Sequence, residues 1–167
     1  MRRLRNEIGT AWVPERVLEA MILETTRVYP LETGGVLLGY WVRLYTQVVV
    51  THVVGPGPLG VHHEHSFDPD NDYHASEIAR IYSESGRLST YLGDWHSHPD
   101  GRPNLSHRDK STMRRISRHA PARAPIPLMA VMGTEPEWAL SVWAYFRRGY
   151  QSRWRSRILP LRVESSQ

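Results

Sequence analysis

Residues 90–95 read TYLGDW, a run that is apolar on both sides of an extended chain. A strand of that kind belongs in the middle of a sheet, with further strands beside it and other layers over both faces. The rest of the sequence supplies them. Pro14–Tyr29 reads as a first helix: Pro14 suits a first helical position, and Leu18, Met21, Ile22, Thr25 and Tyr29 recur at helical spacing until Pro30 ends the run. Gly34–Val42 and Tyr45–Val54 read as two strands joined by a short turn near Arg43. Residues 55–65, GPGPLGVHHEH, are loop by composition. Asp70 or Asp72 is placed to cap a second helix with a stripe of Ala75, Ile78, Ala79, Ile81 and Tyr82. A third helix starts near Ser106 and fades by His119, before Pro121, Pro125 and Pro127. Leu128–Met132 and Trp138–Phe146 complete the sheet.

Helices interleaved with strands around one sheet give an α/β or α+β fold. With 167 residues, of which 40% are hydrophobic, the expectation is a single domain over 1–167. Its core spans about residues 12–146, and a basic tail, 147–167, either adds a strand or packs loosely.

The chain contains no cysteine, which excludes a disulfide framework, a thiol nucleophile and any thiolate metal site. The formal charge of +4 is unevenly spread: Arg2, Arg3 and Arg5 open the chain, and Arg147, Arg148, Arg153, Arg155, Arg157 and Arg162 crowd its end. A solvated surface is the preferred reading of that excess over a nucleic-acid patch. No apolar run approaches the roughly 20 residues of a membrane span. Glu7 and Gly9 interrupt the stretch a signal peptide would need, so a cytoplasmic location is expected and no membrane partner.

The apolar strand runs directly into HSHPDGRPNLSHRD, residues 96–109. His96 and His98 are two apart at a strand end, so both rings point to one face. Two imidazoles on one side can reach one zinc ion at about 2.0–2.1 Å, and catalytic zinc commonly takes three protein ligands. Without cysteine the third must be His or a carboxylate, and Asp109 is the candidate. If Ser106 caps the third helix, Asp109 lies in its first turn on the face of Met113 and Ile116, turned toward the core. An inward carboxylate beside two histidines calls for a cation. Each piece has a plainer reading. A His-x-His pair is often surface polarity, and Ser106-x-x-Asp109 taken alone is better read as a capping box.

Taken together, HSHPDGRPNLSHRD resembles the signature of the JAMM (Jab/MPN) zinc metallopeptidases, with Pro99 after the second His. ETGGVLLG, residues 32–39, resembles the family's upstream strand, and YLGDWHSHP, residues 91–99, is similar to its prokaryotic branch. The likeness spans roughly Glu15 to Phe146 and departs from the pattern at Leu105, where Pro is common. The resemblance implies a mixed sheet flanked by helices, as in the cytidine deaminases; their own chemistry needs thiolates this chain lacks. It implies that His96, His98 and Asp109 hold one Zn²⁺ per chain. It further implies that Glu32 takes a proton from the water and passes it to the leaving amine, and that Ser106 steadies the oxyanion. Read without the family, Glu32 would be an ordinary strand entrance.

Active members of the family cut after the C-terminal glycine of ubiquitin or a ubiquitin-like protein. Small bacterial members stand beside ubiquitin-transfer-like enzymes, including those of antiphage systems such as CBASS. The implied function is therefore a deubiquitinase-like isopeptidase acting on a ubiquitin-like protein or its conjugate. Two alternatives stand beside it: a peptidase for sulfur-carrier precursors or adducts, and a role like that of the DNA-repair-associated branch. The latter usually has Ser-Gly after HxHP, where this chain has Asp100-Gly101.

Three smaller features remain. His62, His63 and His65 with Glu64 are read as a solvated or substrate-contacting loop in preference to a second metal site. Asp68, Asp70 and Asp72 are read as a helix-capping turn. Asp94, two residues before His96, is a candidate partner for that ring.

Overall fold

The computed structural model describes residues 9–43, 46–134, 137–147 and 156–166. In chain order the elements are β1 (Thr10–Pro14), α1 (Glu15–Val28), β2 (Gly34–Arg43), β3 (Gln47–Val54), β4 (Val61–His63), β5 (Ser66–Asp68), α2 (Asn71–Glu84), β6 (Thr90–His98), α3 (His107–Ile116), β7 (Leu128–Gly133), β8 (Ala139–Phe146) and β9 (Arg157–Ser166). Arg2, Arg3, Arg5, Glu7, Arg148, Arg153, Arg155 and Tyr45, the expected start of the second predicted strand, lie outside the described residues.

The fold is the mixed α/β arrangement that the sequence implies. The strand order is β1-β3-β2-β6-β7-β8-β9, and β9 pairs with β1, so the sheet closes on itself. The β1·β3, β1·β9 and β6·β7 pairs are parallel and the others antiparallel. Closure depends on one element that straddles the start of the expected core of 12–146 and one that lies beyond its end. β1 is the first, and β9 comes from the basic tail, where Leu161 is buried against the other strands. Pro14 ends β1 and stands at the N-cap of α1 instead of opening the helix.

Alternation sorts the side chains into two faces. One face of all seven strands builds the main core: Leu37, Val48, Val50, Leu92, Trp95, Leu128, Ala130, Met132, Val142 and Ala144 surround Val17 and Met21 of α1. Tyr29, counted in the α1 stripe from sequence, is 56% exposed. On the other face, Val36, Leu38 and Val54 pack against Ile81 of α2, while Met129, Val131 and Tyr145 pack against Met113 of α3. The buried positions of α2 are His74 and Ile81, with Ile78 half-buried. Ala75, Ala79 and Tyr82 of the expected stripe face outward, because His74 donates from Nε2 to the Gly55 carbonyl at 2.8 Å and turns that face to the sheet.

The main core includes Trp95, so its strand neighbours His96 and Asp94 emerge on the opposite face, between the α2 and α3 clusters. Pairing fixes their height: Gly34 of β2 and Val131 of β7 stand opposite His96 on either side. A residue at position 34 must lack a side chain, since a Cβ there would meet the Trp95 carbonyl and come within 2.5 Å of the Phe67 ring. No helix among the described residues is long and apolar enough to cross a membrane.

Candidate active site

Three segments converge on this face. β6 carries His96, buried, and His98, half-buried. The pairing of Gly34 with His96 continues one step beyond the strand proper: Ser97 N–H donates to the Thr33 carbonyl at 2.8 Å, and Thr33 N–H donates to Ser97 Oγ at 3.0 Å. Thr33 therefore faces Ser97, and Glu32, one residue earlier, lines the same cleft as His98, which bears on its charge. Thr33 and Ser97 are both fully buried, which fixes the Glu32 backbone beside the histidine pair. Sequence reading singled out neither residue, because neither carries a local signal apart from the pairing itself.

The third segment is the start of α3. Ser106 is its N-cap, accepting from Asp109 N–H at 3.2 Å, and Asp109 Oδ2 accepts from Ser106 N–H at 2.7 Å. This reciprocal capping box satisfies two of the helix's free donors and draws the Asp109 carboxylate back over the helix start. Its second oxygen, Oδ1, stands 3.5 Å from His96 Nε2. Capping and convergence on the histidines thus coexist in one side chain. Asp109 and Met113 are buried on the same helix face and Ile116 is half-buried there.

His96 Nε2 and His98 Nε2 are 3.1 Å apart, and His98 Nδ1 lies 3.0 Å from the Arg102 carbonyl. A carbonyl only accepts, so His98 Nδ1 carries a proton and donates, leaving Nε2 turned toward His96. Burial pushes the His96 pKa down to about 4, against the upward pull of Asp109, so its ring is neutral near pH 7. Two imidazoles and a carboxyl group whose donor atoms lie within 4.8 Å of one another match the donors of a divalent cation site. Two of the three separations, 3.1 and 3.5 Å, bracket the roughly 3.3 Å between ligand atoms that tetrahedral zinc bonds of about 2.0–2.1 Å require, and the third is within 4.8 Å. The residues therefore fit a metal. Among the described residues this is the one such His/Asp/Glu group, and His62, His63 and His65 do not form another.

The loop after His98 is held in place on several sides. Asp100, at φ 60°, accepts from Tyr29 Oη at 2.9 Å and donates its N–H to Thr134 Oγ1 at 2.9 Å. Thr134 N–H donates to the Gly101 carbonyl at 3.0 Å, and Gly101 N–H to the His98 carbonyl at 3.1 Å. These bonds fix the Arg102 carbonyl that orients His98. Tyr29, which sequence placed in a buried stripe, serves at the surface as one of these anchors.

The convergence lines a cleft of about 520 Å³ whose walls include Glu32, His65, His98, Ser106, Arg108 and Asp109. Burial raises the Glu32 pKa above the ordinary carboxylate range, with His98 and His65 pulling the other way. A half-buried carboxylate of raised proton affinity beside a metal-type cluster is suited to taking up and returning a proton. Asp94 also lines the cleft, but its hydrogen bond comes from Tyr91 Oη at 2.6 Å, and burial raises its pKa. Asp94 thus bonds Tyr91 and neither histidine, while His98 is oriented by donating from Nδ1 to the Arg102 carbonyl, which no sequence pattern marks.

A family model described as prokaryotic homologs of the JAB domain matches residues 14–145. A probable metalloprotease of Sinorhizobium fredii is 41% identical over 136 residues, covering 79% of this chain and 81% of that protein. A CD-NTase/cGAS isopeptidase of Escherichia coli is 27% identical over 74% of this chain and 76% of its own length. Among solved structures, the solution structure of a protein from Desulfitobacterium hafniense aligns with a TM-score of 0.66 at 17% identity, covering 94% of this chain and 93% of that one. That likeness speaks to the fold alone.

Proposed function

We propose that this chain, which belongs to the family of prokaryotic homologs of the JAB domain, is a zinc isopeptidase that hydrolyses the bond after the C-terminal glycine of a ubiquitin-like protein or of its conjugate. The coarser statement, a metal-dependent hydrolase of the metallopeptidase and isopeptidase kind, follows from the family and the relatives. The single observation that supports the reading is that Glu32, its pKa raised by burial, lines one cleft with the His96–His98–Asp109 cluster and Ser106.

In this reading His96, His98 and Asp109 hold the ion. Zinc bound there supplies Lewis acidity, bringing the pKa of a water to about 7 and polarising an amide carbonyl. The Glu32 carboxylate accepts the proton of the attacking water and returns it to the leaving nitrogen. Ser106 Oγ, occupied as an acceptor by Asp109 N–H, keeps its own proton for donation to the oxyanion.

Ser106→Ala separates the two jobs of this hydroxyl. Loss of the cap costs about 1 kcal/mol, a fall of about 2–4 °C in Tm. Loss of the oxyanion donor lowers kcat by about 10²–10³-fold on top of that. Thermal melts and steady-state kinetics on the same preparation check both, and full turnover in a less stable variant would leave Ser106 a cap only.

Substrate class is argued from the surroundings of the cluster and from the relatives' names. The His96–His98–Asp109 cluster lies in a cleft whose wall continues through residues 65–69, at the β4–β5 hairpin, where an extended tail can lie. Close approach of a backbone to the ion favours small residues beside the scissile bond, as a diglycine-like C-terminus provides. The E. coli relative is named a CD-NTase/cGAS isopeptidase, and a conjugate that an isopeptidase would open is the substrate proposed here. Fusions that differ only in Gly or Val before the scissile bond test this, with purified protein and zinc. Cleavage of the Gly fusion and a sharp loss with Val are expected. Equal cleavage of both would overturn the close-approach argument and favour a peptidase of sulfur-carrier precursors or adducts.

A further inference from the structure

Both backbone polar groups of Glu32 are held by the β4–β5 hairpin, the segment that sequence composition marked as loop. Glu32 N–H donates to the His63 carbonyl at 2.8 Å. The Glu32 carbonyl lies 3.0 Å from His62 Nδ1, and because a carbonyl only accepts, His62 carries its proton there and donates. The next residue, Thr33, is already tied to Ser97. Glu32 is thus the point where the chain passes from the hairpin's hold to that of the sheet.

The hairpin that supplies this hold is itself anchored. His63 Nε2 stands 3.1 Å from Asp68 Oδ2 across the two strands, and the Phe67 ring covers Gly34 closely enough that a Cβ there would lie 2.5 Å from it. Asp70 N–H donates to the Pro56 carbonyl at 2.9 Å and closes the base of the loop. The three histidines therefore do different things. His62 is half-buried with one ring nitrogen committed to Glu32, His63 staples the hairpin, and His65 lines the cleft.

Fixing the peptide planes on both sides of a residue fixes the direction of its Cα–Cβ bond. For Glu32 that direction decides how the carboxylate meets the space beside His98. We infer that His62, through the bond from its Nδ1–H to the Glu32 carbonyl, is a positioning residue that aims the Glu32 carboxylate into the cleft. The inference rests on the reading of Glu32 as the proton-transfer group. Its requirement is chemical: a short side chain with a donor at the place of Nδ1. Asn meets it through its amide nitrogen, and Leu does not.

The test compares the wild type, His62→Leu, His62→Asn and Glu32→Ala, all loaded with zinc and assayed on the Gly fusion. His62→Leu should lose about 10–10²-fold in kcat, the scale of a small misplacement of a catalytic group, with KM and zinc content unchanged. His62→Asn should recover most of that loss. The Glu32 amide should exchange with solvent faster in His62→Leu than in the wild type and return toward the wild-type rate in His62→Asn, a readout independent of turnover. Wild-type kcat in His62→Leu, or His62→Asn no better than His62→Leu, would overturn the inference while an inactive Glu32→Ala left the proposed function standing. Full activity in Glu32→Ala would overturn the reading of Glu32 and this inference with it.

Discussion

Glu32→Ala is expected to lose about 10²–10⁴-fold in kcat while keeping both fold and metal. The variant is informative because the backbone of Glu32 does its structural work without the side chain. The N–H bond to His63 and the carbonyl bond from His62 remain available to alanine, and so does the neighbouring pairing of Thr33 with Ser97. What alanine removes is a half-buried carboxylate whose proton affinity burial has raised, in the cleft it shares with His98. Thermal melting and metal analysis should therefore match the wild type, with the whole effect in turnover. Loss of metal would make Glu32 a ligand. Near-normal turnover would place the base elsewhere, with Asp94 on the cleft wall the next group to test.

His96→Ala, His98→Ala and Asp109→Ala are each expected to lose most of the bound zinc, because two remaining ligands hold the ion poorly. The three should differ in stability. Asp109→Ala also removes the acceptor for Ser106 N–H and opens the capping box, so its metal-free form should melt below that of His98→Ala. His96 is buried and neutral, so its replacement leaves a gap against Gly34 and Val131 but strands no charge. His98 is half-buried at the cleft and its removal should disturb the fold least. Metal analysis after dialysis, paired with melts of the metal-free proteins, checks both parts. Full zinc in any one variant would remove that residue from the ligand set.

Much of this site is visible in the sequence because its parts follow local rules. Strand alternation puts His96 and His98 on one face, and helix periodicity sets Asp109 above Met113. The capping motif marks the helix start at Ser106. Glu32 is different. It lies 64 residues before His96, and only the likeness to a family pointed to it; the reason it belongs is the long-range pairing of β2 with β6. Long-range pairing also explains what sequence reading missed. Thr33 and Ser97 are ordinary small polar residues until they face each other across two strands. The β4–β5 hairpin has only three residues per strand in a Gly- and Pro-rich stretch, too short for a period of two to register. β9 sits in a basic tail, and its Leu161 counts as core only because β1 and β8 flank it. Asp94 shows the converse: spacing pointed to the histidine, and the fold gave it Tyr91 instead.

In the proposed function, His96, His98 and Asp109 hold one zinc ion on which amide hydrolysis depends. Reconstitution of the metal-free wild type tests it most directly. Zinc is added in steps while cleavage of the Gly fusion is followed, with Asp109→Ala carried through the same titration. The expected result is turnover that is absent without metal and rises linearly to a plateau at one equivalent per chain. In Asp109→Ala no plateau should appear at that point. Turnover in the fully metal-free wild type, or an unchanged titration in Asp109→Ala, would contradict the account.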